Sequence, residues 1–170
     1  MKCKIVWQKL SPEEGKKFRD YLEECEIESV LLSALNFMRI NENGEPNLSY
    51  LEKMLLNELK QFPEKKIFIT QGFICRNAFG EIDNLKRGGS DYTATLIGAA
   101  IDAKEIQIWT DIDGMHNNDP RIIENTSPID QLSFDEAAEL AYFGAKILHP
   151  SSVQPAKEKN IPIILKNTLD

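Results

Sequence analysis

Apolar residues change their period repeatedly along the 170-residue chain, and the changes mark alternating strands and helices. Lys4 to Gln8 reads as a short strand. Ser11-Pro12-Glu13-Glu14 forms a capping box with proline at the first helical position, opening a helix that runs to about Cys25. Ser29 to Ser33 is a buried-strand run, and Asn41 to Pro46 is a loop built from turn residues. Ser49 with Glu52 caps a second helix, whose Met54, Leu55 and Leu59 fall at helical spacing before Phe62-Pro63 ends it. Ile67 to Thr70 is the clearest strand, and the polar stretch Cys75 to Lys86 suits a hairpin or a mobile loop. Ser90 to Ala103 is a strongly apolar helix, Glu105 to Thr110 a strand, and the segment onward to Arg121 a loop rich in Asp, Gly, Asn and Pro. Ser133 and Glu136 make a third capping box for a helix to Phe143. A helix around Ser151 to Lys159 then leads into a last strand, Ile161 to Leu165.

Strands separated by helices imply an α/β protein with a mostly parallel sheet and helices on both faces, a three-layer αβα sandwich. The length allows one ordinary domain, large enough to bury a core without disulfide or metal staples. Twenty Lys and Arg against 27 Asp and Glu give a net charge of -7. That balance argues against nucleic-acid coating or a polybasic membrane binder. No apolar run approaches a membrane span, and residues 1–10 carry no signal-peptide pattern. Cys3, Cys25 and Cys75 form no CxxC pair and read as small packing residues in a reducing, cytoplasmic setting. No residue pattern points to a resident metal. Phe37-Met38 and Trp109 read as core.

Ligands of open parallel sheets bind beyond the carboxyl ends of the strands, which makes the segments following them the candidates. Arg87-Gly88-Gly89-Ser90-Asp91 opens the apolar helix. Its glycines allow close backbone approach, its free N–H groups and positive dipole end suit an anion, and Arg87 offers a planar fork for a carboxylate or phosphate. Asp91 suits an ammonium group; the plainer alternative is a tight loop with an N-cap. Thr110-Asp111, Asp113-Gly114 and Asp119-Pro120-Arg121 gather carboxylates and an arginine in one loop, which fits either a nucleotide or a solvated turn. Lys146, just past the helix-ending Gly144, either neutralises a helix C-terminus or reaches a transferring phosphoryl group. His149-Pro150 reads as structural.

Taken as a set, Thr70-Gln-Gly-Phe73, Arg87-Gly-Gly-Ser-Asp-Tyr-Thr93, Ile108-Trp-Thr-Asp-Ile-Asp-Gly114, Asp119-Pro-Arg121, Glu139-Leu-Ala-Tyr-Phe-Gly-Ala-Lys146 with Ile147-Leu-His-Pro150, and Lys166-Asn-Thr168 resemble the aspartokinase branch of the amino acid kinase family. The match covers about residues 65 to 168, with weaker marks from about 18 to 64. The resemblance implies phosphoryl transfer from Mg-ATP to the β-carboxylate of L-aspartate, the entry step to lysine, threonine and methionine. It implies that Arg87 clamps an aspartate carboxylate, that Phe73 and Ser90 line that pocket, and that Asp91 holds the substrate ammonium. Thr110, Asp111 and Arg121 would bind ATP, Lys146 would balance phosphate charge, and Asp91 and Lys146 would be the catalytic pair. Mg2+ would arrive with the nucleotide. His116 stands where relatives often carry a nucleotide-loop tyrosine.

The same resemblance sets expectations for what differs. The family's Lys-Phe-Gly-Gly-Thr-Ser turn, whose lysine contacts phosphates, has no counterpart here, and Leu10 to Glu14 lacks the family's substrate-contacting Glu motif. Regulatory ACT modules are absent from residues 1–170. The chain is therefore expected to be a partial kinase domain without activity alone, and self-association into a homo-oligomer is expected. Two other readings stand beside it: an amino acid kinase acting on glutamate, N-acetylglutamate or a nucleotide, and a non-catalytic ligand-binding chain.

Overall fold

The computed structural model describes residues 4–8, 12–86, 88–119, 122–143 and 148–169, and for residues 4–8, 12, 14 and 15 the backbone alone. Cys3, Ser11, Arg87, Arg121, Gly144 and Lys146, each singled out by the sequence, lie outside the described residues. In chain order the elements are β1 (Lys4–Gln8), α1 (Pro12–Glu24), β2 (Ser29–Leu32), a 3-10 turn (Ala34–Asn36), α2 (Leu48–Lys60), β3 (Ile67–Thr70), β4 (Ile74–Arg76), β5 (Ile82–Asn84), α3 (Gly89–Ala100), β6 (Glu105–Thr110), β7 (Met115–His116), β8 (Pro128–Ile129), α4 (Phe134–Tyr142), α5 (Pro150–Lys159) and β9 (Ile163–Asn167). The alternation is that of an α/β protein. The chain divides into two compact units, Met1–Gln8 with Arg87–Asp170, and Lys9–Lys86.

The first unit is built on the parallel sheet β1-β6-β9, with β6 at its centre. Along β6, Ile106 and Ile108 are buried while Glu105, Gln107 and Trp109 are half-buried, the period-2 alternation of a strand with one core face. The register sets Ile106 beside Ile163 and Ile108 beside Leu165, so one sheet face is continuously apolar. Ala94 of α3 and Ala156 of α5 pack into this core with Ile161. Alanine at those points lets both helices lie close to the sheet. α3 buries Thr93, Ala94, Thr95, Leu96, Gly98 and Ala99, which accounts for its nearly unbroken apolar sequence.

Helix α5 ends at Lys159 as read, but the last strand begins two residues later than the sequence reading at Ile161. Asn160 takes the left-handed conformation (φ 51°), and Ile161 N–H bonds the Ala156 carbonyl at 2.9 Å, closing the helix. Pro162 has no N–H to offer, so β9 pairs from Ile163 to Asn167 rather than from Ile161 to Leu165. The capping box at α4 forms as read: Glu136 N–H donates to Ser133 Oγ, and Ser133 N–H donates to Glu136 Oε2.

In the second unit β2 and β3 pair in parallel. The polar stretch after β3 is a hairpin, β4 against β5. Its turn is a near copy of the loop at Asn41. In each, an asparagine side chain accepts two backbone N–H groups, Asn43 and Glu45 for Asn41, Phe79 and Glu81 for Asn77. Gly44 and Gly80 supply the positive φ that each turn needs. Phe37, Met38, Leu51, Leu55 and Cys75 form the buried interior here. Helix α2 is capped by Asn47, whose side chain accepts from Tyr50 N–H at 3.0 Å, and not by Ser49. Asparagine caps as well as serine, and a cap at Asn47 lets the helix begin at Leu48. Cys25 is exposed, which corrects its reading as a packing residue; it follows the last turn of α1. Among the described residues no helix is long and apolar enough to cross a membrane.

Candidate active site

The first unit brings several sequence-predicted residues to one end of its sheet. Helix α3 joins β6 through a four-residue turn, and α5 joins β9 through three residues, so each helix runs antiparallel to the strand it feeds. The N-termini of α3 and α5 therefore lie at the carboxyl ends of β6 and β9, where parallel sheets bind their ligands. Ser90 and Asp91 occupy the first turn of α3, both half-buried. Thr110 and Asp111 stand at the end of β6, Lys166 to Thr168 at the end of β9.

The start of α3 is set by Gly88, whose φ of 73° lies in the left-handed region. A Cβ at this position would come within 2.8 Å of both His149 Cβ and Ser152 Oγ, so glycine is required for space as well as for conformation. Ser152 is buried, and its hydroxyl donates to the Gly88 carbonyl at 3.2 Å. Thr93 donates to the Gly89 carbonyl at 2.7 Å. His149 caps α5, its Nδ1 accepting from Ser151 N–H at 3.4 Å, which bears out its structural reading. Asp91 near the positive end of α3 is favourably placed by the helix dipole.

At the end of β6 the Thr110 hydroxyl donates to Asp111 Oδ1 at 2.9 Å. The Thr110 carbonyl accepts from both the N–H and the hydroxyl of Thr168, at 2.9 and 3.1 Å, tying the two strand ends together. The loop that follows is not formless. β7 and β8 pair across it, and buried His116 spans Asp113 and Thr126 at 2.7 and 2.9 Å. A carboxylate only accepts, so Nε2 carries the proton at the Asp113 contact. That hydrogen bond holds the Asp113 carboxyl below its ordinary range. His116 is thus a brace of the loop, seated inside it.

Trp109 is half-buried, not core, because it lies on the face of β6 opposite buried Ile106 and Ile108; there Lys166 Nζ lies 5.2 Å from its ring centroid. Nothing local in the sequence gives Lys166 a place; only the register, which pairs it with Trp109, reveals it. Phe73 belongs to the second unit. Its φ of 72° is unusual for a bulky residue, its side chain is 44% exposed, and its carbonyl accepts from Leu85 N–H at 2.8 Å. Such strain persists where surrounding structure imposes it, and it is frequent in ligand clamps. Among the described residues no three His, Cys, Asp or Glu side chains gather as a metal cage.

A helix start with an acidic residue in its first turn and a Thr-Asp strand end thus come to the carboxyl end of one parallel sheet. Residues 16–167 match the amino acid kinase family, and the chain belongs to it. Within that family it is similar to aspartokinases. It is 36% identical over 156 residues to the lysine-sensitive aspartokinase 3 of Escherichia coli (strain K12), covering 90% of this chain and 35% of that protein. It is 55% identical over 155 residues to the chloroplastic aspartokinase 3 of Arabidopsis thaliana, covering 91% of this chain and 27% of the relative. The crystal structure of E. coli aspartokinase III in complex with aspartate and ADP superposes with a TM-score of 0.85 at 36% identity, over 92% of this chain and 36% of that one. The chain thus spans about a third of the length of these relatives.

Proposed function

We propose that this chain contributes the greater part of an aspartate kinase site, transferring the γ-phosphoryl group of ATP to the side-chain carboxylate of L-aspartate, at the entry to lysine, threonine and methionine synthesis. The observation that carries the reading is the close structural likeness to an aspartokinase holding aspartate and ADP. The placement of Ser90, Asp91, Thr110 and Asp111 at one end of the parallel sheet supports it.

In this reading Arg87 pairs with a carboxylate of the amino acid, Ser90 and Phe73 line its pocket, and Asp91 holds its ammonium group. The Thr110 hydroxyl and the Asp111 carboxylate, partly exposed at a strand end, suit hydroxyl and amine groups of a nucleoside. Arg121 and Lys146 add positive charge for the phosphates. Phosphoryl transfer asks the protein for alignment and charge neutralisation rather than a covalent nucleophile, so Asp91 and Lys146 act by placing and balancing charge. When bound, Mg2+ would offset the negative charge of the phosphates. With no acidic cage among the described residues, it is proposed to enter with the nucleotide.

Calorimetry on the chain with L-aspartate and with ADP tests the proposal. Arg87→Ala is expected to weaken aspartate at least tenfold and to leave ADP within twofold. Failure of the wild type to bind either ligand, or preference for glutamate over aspartate, would refute it. The 170 residues alone are proposed to lack turnover, because they contain no Lys-Phe-Gly-Gly-Thr-Ser segment; aspartate-dependent ADP release by this chain would overturn that part. A cytoplasmic homo-oligomer completes the proposal, and light scattering that gives a monomer at all concentrations would count against it.

A further inference from the structure

We propose that Ser152 is a positioning residue for the amino-acid-binding loop, holding the first turn of α3 from the neighbouring helix. The inference rests on the proposed function of that loop, and it concerns a residue to which no role has been given there.

Ser152 is a hydroxyl in an almost sealed place, 1% exposed, and 64 residues from its partner in sequence. Its partner, the Gly88 carbonyl, also accepts the first helical bond of α3, from Tyr92 N–H at 2.9 Å. The next carbonyl along, that of Gly89, is held by the buried Thr93 hydroxyl at 2.7 Å. Two successive peptide groups are therefore each fixed by a buried side chain, one from α5 and one from α3 itself. In a trans peptide the carbonyl and the following N–H point in opposite directions, and no peptide bond described here is cis. Holding the Gly88 and Gly89 carbonyls against the protein thus turns Gly89 N–H and Ser90 N–H the other way, to the open end of the helix, where an anionic group is stabilised.

The contact between the helices has no slack. A side chain at residue 88 would meet His149 Cβ and Ser152 Oγ at 2.8 Å, so the loop rests directly on the first turn of α5. That turn is itself ordered by its cap, with His149 Nδ1 and Ser151 Oγ 2.6 Å apart. Lys146 precedes His149 by only two intervening residues in sequence. The α5 start is consequently the point where the chain segment proposed to meet phosphates adjoins the support of the loop proposed to meet the amino acid.

Ser152→Ala tests the proposal, since it removes one hydroxyl and leaves the Tyr92 bond to Gly88 available to keep α3 folded. Amide hydrogen exchange by NMR is expected to show Tyr92 exchanging five- to tenfold faster, the loss of about one hydrogen bond's support, with Ile101 at the far end of α3 unchanged. Calorimetry is expected to show L-aspartate weakened five- to tenfold and ADP unchanged. Unchanged exchange at Tyr92 overturns the proposal, as does unchanged aspartate affinity or an equal loss for both ligands, which marks a purely structural role. Should the wild type bind no aspartate, the proposed function of the loop fails; the exchange measurement still decides whether Ser152 holds it.

Discussion

Replacing Gly88 by alanine should be costly for two separable reasons, and the chain contains its own control. At φ 73° an L-residue is strained by about 1–2 kcal/mol. The added methyl would also lie 2.8 Å from His149 Cβ and from Ser152 Oγ. His149 Cβ is bonded to the backbone of the α5 cap, so it yields only if the helix moves; the serine oxygen can turn away only by giving up Gly88. Such overpacking adds about 1–3 kcal/mol. Gly80 has a similar φ of 86°, but no described atom lies within 4 Å of its would-be Cβ. Gly80→Ala should therefore cost only the conformational part, about 1–2 kcal/mol, whereas Gly88→Ala should cost about 3 kcal/mol. Urea unfolding followed by far-UV circular dichroism reads both. Equal losses for the two variants, within about 0.5 kcal/mol, the size expected for unremarkable sites, would refute the packing argument.

Three further outcomes follow from other parts of the chain. Cys75 is fully buried, and burial followed by the nearby Asp83 charge pushes its thiol up to about 11. A thiol reagent at pH 8 should label exposed Cys25 in the native protein and Cys75 only after unfolding, as peptide mapping by mass spectrometry would show; native labelling of Cys75 would contradict its burial. Ser133→Ala removes half of the α4 capping box and should lower stability by about 1 kcal/mol in thermal or urea unfolding, while an effect near zero would mean that the cap is redundant. The Asp113 carboxyl is held below its ordinary value of 3.8 by the His116 hydrogen bond. Its contribution is therefore complete above that value and is lost as pH falls through the lower, folded one. Asp113→Asn should flatten the acid limb of the stability curve below about pH 4, and parallel curves for the two proteins would exclude this source.

The helical residues of α3 and the strand Glu105–Thr110 were legible because each rests on local sequence: an apolar run of helix length and a β-rich alternating segment. Capping chemistry located the start of α4 to the residue, since Ser133 and Glu136 satisfy each other without help from the rest of the chain. The α2 start was displaced because Asn47 and Ser49 are both competent caps and nothing local distinguishes them. The candidate site was legible as a set of motifs, each placed after a strand or before a helix by its own residues.

Other features depended on segments far apart in sequence. His116 reads as a nucleotide-loop residue until Thr126 and Asp113 close around it. Trp109 reads as core until strand register brings Lys166 over its ring. Gly88 reads as one of two glycines that let the backbone approach a ligand, yet its neighbour across the contact, Ser152, lies 64 residues on. The sequence by itself determined the α/β class, the family and the order of the binding segments, because short-range periodicity, caps and motifs are local. Only the tertiary structure decided which side chains brace those segments, because a hydrogen bond or a close packing contact depends on distance in space and leaves no period in the chain.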